Sequence, residues 1–270
     1  MEIVVCVKQV PASTRVRLNP VTNTIVREGI EMMLNPFDAY ALEEALRLKE
    51  SSGGHVTVLS MGIPSAAVLL WQALALGADR AVLLSDKRFA GADTLATAYT
   101  LAAAVRKLGA FDLLMCGRQA VDGDTAQVGP SLAQKLEIPH LSAVRRVRMA
   151  SERELLCEKM SEEGCLEIGL SLPALLTVVK EINTPRFLSL QGYLRAISAQ
   201  VEIWNADDLQ VDPARIGLEG SATWVVSTAA AERRKAGNEI HGSPEETAAS
   251  ILGRLRQKGW SKPEVGDARG

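Results

Sequence analysis

Residues 111–130 read FDLLMCGRQAVDGDTAQVGP, an apolar run followed by a polar loop that contains glycine. The apolar part, residues 111–115, has the length and composition of a fully buried strand. The loop leads into a helix that we predict from about Thr125. A buried strand that runs through such a loop into a helix is one half of a βαβ unit, so this segment predicts an α/β fold.

The chain before this segment shows the same alternation. Apolar runs predict strands at residues 3–7, 56–60 and 81–84. Helical segments lie between the strands, and two of them are followed by Gly77 and Gly109, as is common at helix C-termini. Strands that alternate with helices at this spacing form βαβ units. We therefore predict a doubly wound parallel sheet.

Four polar turns follow the predicted strands, at residues 6–9, 61–62, 91–94 and 117–124. In a parallel sheet such turns meet at the carboxyl edge, which is where ligands bind in doubly wound folds. We therefore expect a binding site at this edge. The turns alone do not identify its ligand.

The turn at residues 117–124 and the helix after it carry groups that suit a nucleotide. A helix N-terminus presents unpaired N–H groups and the positive end of its dipole, and both favour phosphate oxygens. Gly123 allows close approach of a ligand to the backbone, and Thr125 and Gln127 add hydrogen-bonding side chains. Asp122 and Asp124 suit ribose hydroxyls, a helix cap or backbone amides better than phosphate. A capped loop without a ligand is the alternative.

Composition argues against several other classes. The 270 residues are 47% apolar but only 4% aromatic, which allows a large aliphatic core, and the formal net charge is −2. Proteins that bind nucleic acids or anionic membranes need clustered excess lysine and arginine, so we expect neither. The uncharged stretch at residues 57–78 contains Gly62 and Pro64, so we interpret it as strand, turn and helix, with no membrane insertion.

The cysteines and short motifs predict neither a metal site nor catalytic side chains. The four cysteines, at positions 6, 116, 157 and 165, form no Cys-x-x-Cys pair, so we expect reduced thiols in a cytoplasmic protein. The first residues lack the basic flank and cleavage site of a signal peptide. The sequence contains neither the Gly-x-Gly-x-x-Gly dinucleotide fingerprint nor the Walker A motif.

The C-terminal part has a weaker pattern. Residues 154–160 and 165–179 suggest two strands, and a capping box of Ser243 and Glu246 predicts a final helix. We divide the chain into an α/β domain at residues 1–190 and an arm at residues 191–270, with a tail from Ser261 that we expect to be disordered. The apolar residues of the arm that need another surface to cover them include Trp204, Ile216 and Trp224.

Four segments of this sequence resemble the beta subunits of electron-transfer flavoproteins. Residues 117–130 resemble the nucleotide loop of that family, and residues 172–190 resemble its signature and recognition loop. Residues 5–11 and 35–38 match as well. The similarity covers nearly all of residues 1–215, and four motifs in order at family spacing are far more specific than one glycine pattern.

The resemblance implies an α/β domain of the adenine-nucleotide-binding type, which pairs with an alpha subunit that holds the electron-carrying FAD. In respiratory-type members the pocket of the beta subunit holds structural AMP, and in electron-bifurcating members it holds a second FAD. Residues 89–97 and 122–130 resemble the bifurcating type, so FAD is the expected cofactor and AMP the alternative. The cofactor contacts carried over are Cys6, Asn35, Met61, Asp93, Thr94, Thr97, Asp122, Gly123, Asp124, Thr125, Gln127, Val128, Gly129 and Pro130.

The resemblance also implies partners for an electron carrier. Leu190 matches an exposed leucine of the recognition loop, and the expected partner there is an acyl-CoA dehydrogenase or a related oxidoreductase. For the bifurcating type, NADH is the electron donor and ferredoxin or flavodoxin an acceptor. Two alternatives stay open: a respiratory-type subunit with AMP and, from a different class, an adenine-nucleotide-binding regulatory module.

Overall fold

The computed structural model describes residues 1–12, 17–18, 25–26, 31–162, 164–227, 237 and 239–260. Residues 1–227 form one compact unit and residues 228–270 form a second. In chain order the elements are β1 (Glu2–Cys6), β2 (Gln9–Pro11), β3 (Arg17–Leu18), β4 (Ile25–Val26), β5 (Met32–Leu34), α1 (Pro36–Ser52), β6 (His55–Met61), α2 (Ala67–Leu76), β7 (Arg80–Leu84), α3 (Thr94–Leu108), β8 (Leu113–Gly117), α4 (Val128–Leu136), β9 (His140–Ser151), β10 (Glu154–Ser161), β11 (Gly164–Ser171), β12 (Ala174–Val178), α5 (Leu190–Ile197), β13 (Glu202–Trp204), α6 (Ala206–Leu209) and α7 (Pro244–Gln257).

Nine of the strands form one sheet, in the order β11–β10–β9–β12–β8–β1–β6–β7–β13. Counting along this spatial order from β9 to β13, each strand is parallel to its neighbour. Strands β10 and β11 add an antiparallel hairpin at one edge. The α/β class and the doubly wound parallel sheet are therefore confirmed.

Helices cover both faces of the sheet because its central strands are apolar on both sides. Helices α1 and α2 pack on one face, where Leu42, Leu46 and Leu70 are buried. Helices α3 and α4 pack on the other face, where Leu101 and Leu132 are buried. Helices α3 and α4 also contact each other, so their N-termini lie on one face of the sheet.

The structure differs from the sequence prediction at two boundaries. Helix α4 begins at Val128 and not near Thr125, because Asp124 and Ala126 have φ angles of 53° and 55°, which an α-helix cannot contain. The strand predicted over residues 165–179 is two strands, β11 and β12, separated by Pro173, which has no N–H for a strand ladder. Strand β9 was not predicted.

Compact packing continues beyond residue 190. Helix α5 packs against α2, and β13 extends the sheet beside β7. Of the three apolar residues expected to need cover, Trp204 and Ile216 are buried in this unit, whereas Trp224 is 70% exposed. An arm that packs on another subunit stays a prediction.

The second unit contains helix α7. Its predicted capping box is confirmed, with the Ser243 hydroxyl accepting from the Glu246 N–H and the Glu246 carboxylate accepting from the Ser243 N–H. The predicted disordered tail from Ser261 lies outside the described residues. None of the helices in the described ranges is both long and apolar enough to cross a membrane.

Gly192 allows the close packing of α5 on α2, because a Cβ atom there would overlap the carbonyl oxygen of Ala75. We expect Gly192→Ala to lower the free energy of unfolding by about 1–3 kcal/mol, as for other overpacked sites. Gly253 in α7 has open space around its Cα, so Gly253→Ala should be neutral or stabilise by up to about 1 kcal/mol. Urea denaturation of both variants checks this. Equal effects of the two substitutions would contradict the assigned packing.

Candidate functional site

The candidate site is the crevice between the neighbouring strands β1 and β8. From β1 the chain continues to α1 on one face, and from β8 it continues to α4 on the other. In doubly wound sheets a ligand crevice opens where connections diverge in this way. The loops after the two strands, at residues 7–9 and 118–127, border it.

Asp38, in the first turn of α1, joins the two sides of this crevice. Its carboxylate accepts the Lys8 N–H at 2.8 Å and the Gly117 N–H at 3.1 Å. Burial raises the pKa of the Asp38 carboxyl to about 7, although hydrogen bonds from Asn35, Lys8 and Gly117 act in the opposite direction. Burial thus outweighs the hydrogen bonds, and the carboxyl titrates near neutral pH.

Asn35 fixes the loop after β8 instead of capping α1. Its amide Nδ2 donates to the Gln119 carbonyl at 2.9 Å, and its Oδ1 accepts the Val121 N–H at 3.1 Å. The side chain makes no capping hydrogen bond to the helix that begins at Pro36. Asn35 therefore lies beside the loop after β8, and that loop already satisfies its amide.

The two aspartates of the loop are held by side chains of this chain. Lys8 Nζ lies 2.6 Å from Asp122 Oδ1, and the Asp122 side chain is 13% exposed. The Gln119 amide donates to Asp124, whose own N–H bonds the Ala120 carbonyl at 2.8 Å. These contacts set the loop conformation, and the Lys8 ammonium offsets the charge of Asp122 that would oppose a phosphate.

The end of this loop leaves several polar groups unpaired. Asp124 and Ala126 have positive φ angles, which non-glycine residues rarely adopt outside sites that need them. Helix α4 has Gln127 at its N-cap but no side-chain capping bond. Within the described ranges, the Thr125 hydroxyl and the Gln127 amide also have no hydrogen-bond partner. Gly123 is exposed, with open space where a Cβ atom would stand.

Two glycines are required by close packing. A Cβ atom on Gly117 would lie 2.5 Å from Asp38 Oδ1, and one on Gly129 would lie 2.5 Å from Thr177 Cγ2. Gly129 thus lets α4 approach β12, in addition to its predicted place at the ligand. Val128 is partly buried against the core on the α3 and α4 face of the sheet, and Pro130 is half-buried in the first turn of α4.

Cys6 and Cys116 lie side by side at the ends of β1 and β8, and both are buried. A hydrogen bond between the Cys116 thiol and Cys6, together with burial, raises the pKa of Cys116 well above its ordinary value. The Cys116 thiol is therefore not activated as a nucleophile. Met61, at the end of β6, packs against the same cluster.

Asp93, Thr94 and Thr97 lie at the N-terminus of α3, beyond β7. The Asp93 carboxylate caps α3 through the N–H groups of Leu95 and Ala96, and its other oxygen accepts from Ala222 and Thr223. Burial raises the pKa of Asp93, but these hydrogen bonds prevail and hold it below its ordinary value. Asp93 is therefore the N-cap of α3. No hydrogen bond or ion pair in the described part of the chain joins Asp93 to residues 117–130. The hydroxyls of Thr94 and Thr97 have no partner there.

Leu190 lies apart from the crevice, at the start of α5, and its side chain is 75% exposed. Other large apolar side chains nearby are exposed too, and Phe187 is exposed over 97% of its surface. We call these residues the α5 apolar surface: Phe187, Leu188, Leu190, Leu194 and Ile197.

Two cavities of about 450 and 380 Å³ are lined by residues such as Ser52, Met149 and Asp112, at the amino edge of the sheet. The crevice at the carboxyl edge is open to solvent along residues 121–125. The strand connections and unpaired polar groups therefore locate the candidate site.

Sequence reasoning missed two residues that build the crevice, Asp38 and Lys8. Both lie in segments recognised as family motifs, but neither was assigned a role. The available signal was position: Lys8 follows a strand at the carboxyl edge, and Asp38 is an acidic residue in a first helical turn directed at that edge. Only the fold shows that the first turn of α1 meets both strand ends.

The residues present fit the diphosphate part of an adenine nucleotide. The N-terminus of α4 offers uncapped N–H groups, and Thr125 and Gln127 add free polar side chains. The nearby carboxylates of Asp122 and Asp124 are neutralised or bonded internally. No catalytic acid, base or nucleophile is needed for such binding.

Comparison with known proteins shows the family of the chain. The sequence pattern of the electron transfer flavoprotein domain matches residues 22–209. A protein of Clostridium acetobutylicum, "Electron transfer flavoprotein subunit beta", is 46% identical over 258 residues, which cover 96% of this chain and 99% of that protein. The chain belongs to the family of electron transfer flavoprotein beta subunits.

Two further relatives of this beta subunit carry other names. "Caffeyl-CoA reductase-Etf complex subunit CarD" of Acetobacterium woodii is 43% identical over 260 residues, 96% of this chain and 99% of that protein. "Protein FixA" of Azorhizobium caulinodans is 48% identical over 232 residues, 83% of each chain.

The buried Asp38 carboxyl predicts a pH dependence of stability for this beta subunit. It stays protonated in the folded protein up to about pH 7, whereas its ordinary pKa is 3.8. Between these values the folded state binds more protons than the unfolded state. The free energy of unfolding therefore decreases as pH rises, by at most about 1.4 kcal/mol per pH unit, and this dependence ends above pH 7.

Asp38→Asn removes this titration. The free energy of unfolding of wild type minus that of the variant should fall between pH 4 and 7 and stay level from pH 7 to 8, as measured by urea denaturation. Asp212→Asn, at an exposed aspartate, is the control. A difference for Asp38→Asn that does not vary with pH would show that its carboxyl does not titrate near neutrality.

Proposed function

We propose that this chain binds FAD in the crevice between β1 and β8 and transfers electrons as the beta subunit of a heterodimer. The observation that carries the proposal is the N-terminus of α4, which lies in the crevice without a capping side chain. Such a helix end favours a diphosphate. The chain belongs to a flavoprotein family, so the diphosphate of a flavin nucleotide is the ligand that suits this helix end.

The N-terminus of α3 supports a ligand longer than AMP. Helices α3 and α4 pack together on one face, and both begin at the carboxyl edge of the sheet. Thr94 and Thr97 present hydroxyls without a partner among the described residues at the start of α3. An isoalloxazine ring extending from the α4 N-terminus toward α3 would give these hydroxyls polar atoms to bond. In this proposal Asp93 positions the α3 turn and does not itself bond the ligand.

FAD, when bound, supplies the redox chemistry, and the side chains supply its position and surroundings. Lys8, Asn35 and Asp38 hold the loop after β8 in place. The first turn of α4, with Thr125 and Gln127, holds the diphosphate. Cys6 and Met61 border the adenosine end.

A respiratory-type subunit with structural AMP is the second candidate. The α4 N-terminus would bind the phosphate of AMP equally well, and the internal contacts of Asp122 and Asp124 do not distinguish the two ligands. What favours FAD is the pair of free hydroxyls on α3, which AMP would leave unpaired. The regulatory-module alternative loses its support, because the chain matches subunits of flavoproteins over nearly its whole length.

The proposed partners follow the same reasoning. An alpha subunit would cover the exposed Trp224 and its neighbours. The α5 apolar surface would dock an acyl-CoA dehydrogenase or a related oxidoreductase, and the name of the relative CarD pairs an Etf subunit with a CoA-ester reductase. NADH would supply electrons, and ferredoxin or flavodoxin would accept some of them. The free thiols of all four cysteines fit the proposed cytoplasmic location.

Cofactor content tests FAD against AMP. The heterodimer, co-expressed with its alpha subunit and purified gently, should yield two FAD on extraction and quantification. Asp122→Ala breaks the ion pair with Lys8 that sets the loop conformation, and Thr125→Ala removes a free hydroxyl, so each should lower the content toward one FAD. Thr57→Ala, in β6 away from the carboxyl edge, should leave it unchanged. One FAD and one AMP in the wild type, even with excess FAD supplied, would establish the respiratory-type assignment.

Docking through Leu190 has a separate test. Leu190→Ala should slow electron exchange with a purified acyl-CoA dehydrogenase, and the melting temperature should stay nearly constant because the side chain is 75% exposed. A buried leucine would instead lose about 2–5 kcal/mol of stability on truncation. Leu166→Ala, at another exposed leucine on β11, is the control and should exchange electrons normally. Unchanged exchange in Leu190→Ala would count against docking at this surface.

A further inference from the structure

The segment that precedes the α5 apolar surface lies along helix α1. Asn183 donates from its amide to the Tyr40 carbonyl at 3.0 Å and to Glu44 Oε2 at 2.9 Å. Arg47 donates to the Thr184 carbonyl at 3.3 Å. Successive turns of α1 therefore contact residues 183 and 184, which immediately precede the exposed side chains.

The centre of this contact is the pair formed by Glu43 and Arg186. The Arg186 N–H and Nε donate to Glu43 Oε2 at 3.1 and 2.8 Å, and Arg47 Nε donates to Glu43 Oε1 at 2.7 Å. The remaining guanidinium nitrogens of Arg186 donate to Glu50 at 2.5 and 3.0 Å. Because the Glu43 side chain is 5% exposed, this pair is screened far less than the ordinary surface ion pairs of the chain.

Glu43 is charged in this arrangement. Burial raises the pKa of Glu43, but the hydrogen bonds from Arg186 and Arg47 outweigh burial and leave it below its ordinary value. A buried charge of this kind has a strict requirement for its partners, since loss of either arginine would leave it unpaired. Arg186 is therefore fixed at both its backbone and its side chain.

A second support lies at the other end of the surface. Trp71 on α2 donates from its indole N–H to the Ala196 carbonyl at 2.7 Å, and its ring packs edge-on against Tyr193 at 5.1 Å. Arg195 donates to the Leu74 carbonyl at 3.3 Å. The exposed residues of the α5 apolar surface thus stand between two supports, with Arg186 next to Phe187 at one end and α2 beneath α5 at the other.

We propose that Glu43, acting through Arg186, is a positioning residue for partner docking, because it holds residues 187–190 in the conformation that a partner recognises. The inference rests on the proposed docking at Leu190. An apolar surface of fixed shape loses less conformational freedom on binding than a mobile one, so the fixed segment gives tighter docking. Glu43 touches neither the crevice nor the partner.

The test uses the complete heterodimer and a purified acyl-CoA dehydrogenase as the probe. We expect Arg186→Ala and Glu43→Gln each to raise the apparent KM for the dehydrogenase by about tenfold. A change of this size corresponds to the conformational entropy lost when a few side chains become ordered on binding. The kcat at saturating dehydrogenase and the FAD content should stay as in wild type. Hydrogen exchange of the amides at 187–190 should increase in both variants.

A matched ion pair separates positioning from general stability. Arg80 Nε and Nη2 donate to the two carboxylate oxygens of Glu202 at 2.7 and 3.0 Å, at the β7–β13 edge. Arg80→Ala should therefore leave the KM for the dehydrogenase and the hydrogen exchange at residues 187–190 unchanged. Arg186→Lys keeps the positive charge but loses the planar guanidinium with its several fixed donors. Its KM should therefore lie between the KM of wild type and that of Arg186→Ala. Should Arg186→Ala fail to assemble, Glu43→Gln carries the test, because it preserves side-chain volume.

The outcomes separate the two proposals. If Leu190→Ala raises the KM while Arg186→Ala and Glu43→Gln do not, docking stands and the role of Glu43 is overturned. If exchange at 187–190 rises in those two variants without a change in KM, the role of Glu43 is likewise overturned. If Leu190→Ala has no effect, docking at this surface fails and positioning by Glu43 fails with it. A combined Leu190→Ala and Arg186→Ala variant whose KM is no higher than that of Leu190→Ala alone supports a shared function.

Discussion

The site depends on one buried carboxyl group, Asp38, which bonds the backbone at the ends of two neighbouring parallel strands. The N–H groups of Lys8 and Gly117 both point to it. Without an acceptor between them, two backbone donors would be buried and unsatisfied, at a cost of about 1–3 kcal/mol each. The loops after β1 and β8 therefore diverge around the first turn of α1. Gly117 is needed at this point because any side chain there would overlap the carboxyl group.

The carboxylates at this edge of the sheet share one property: each has its charge reduced or bonded within the chain. Asp122 pairs with Lys8, Asp124 accepts from Gln119, and Asp93 accepts from backbone N–H groups. Asp38 is buried and holds a proton up to about neutral pH. An edge with several aspartates in its sequence thus does not repel an anion as their number alone would suggest, and the α4 dipole acts on an approaching phosphate with little opposition.

The sequence allowed the sheet to be predicted because its central strands are buried on both faces and appear as continuous apolar runs between helices. Strand β9 was missed because its residues alternate between buried and exposed and include several arginines. The turns at residues 6–9 and 117–124 predicted the position of the crevice. What these side chains bond was not predictable. Asn35 has the residue type of a helix cap, yet its amide bonds a loop 84 residues away in sequence. Local preference cannot foresee a partner that only the fold brings near.

The contacts that helix α1 makes along its length fix the number of residues between them. Its first turn meets the crevice through Asp38, and Glu43 and Glu50 meet the segment before α5. Each residue of an α-helix advances about 1.5 Å and turns about 100°. One residue inserted between Asp38 and Glu43 would rotate one set of contacts away whenever the other set was kept. Insertions and deletions should therefore be excluded from this stretch in any descendant of this sequence that keeps both sites.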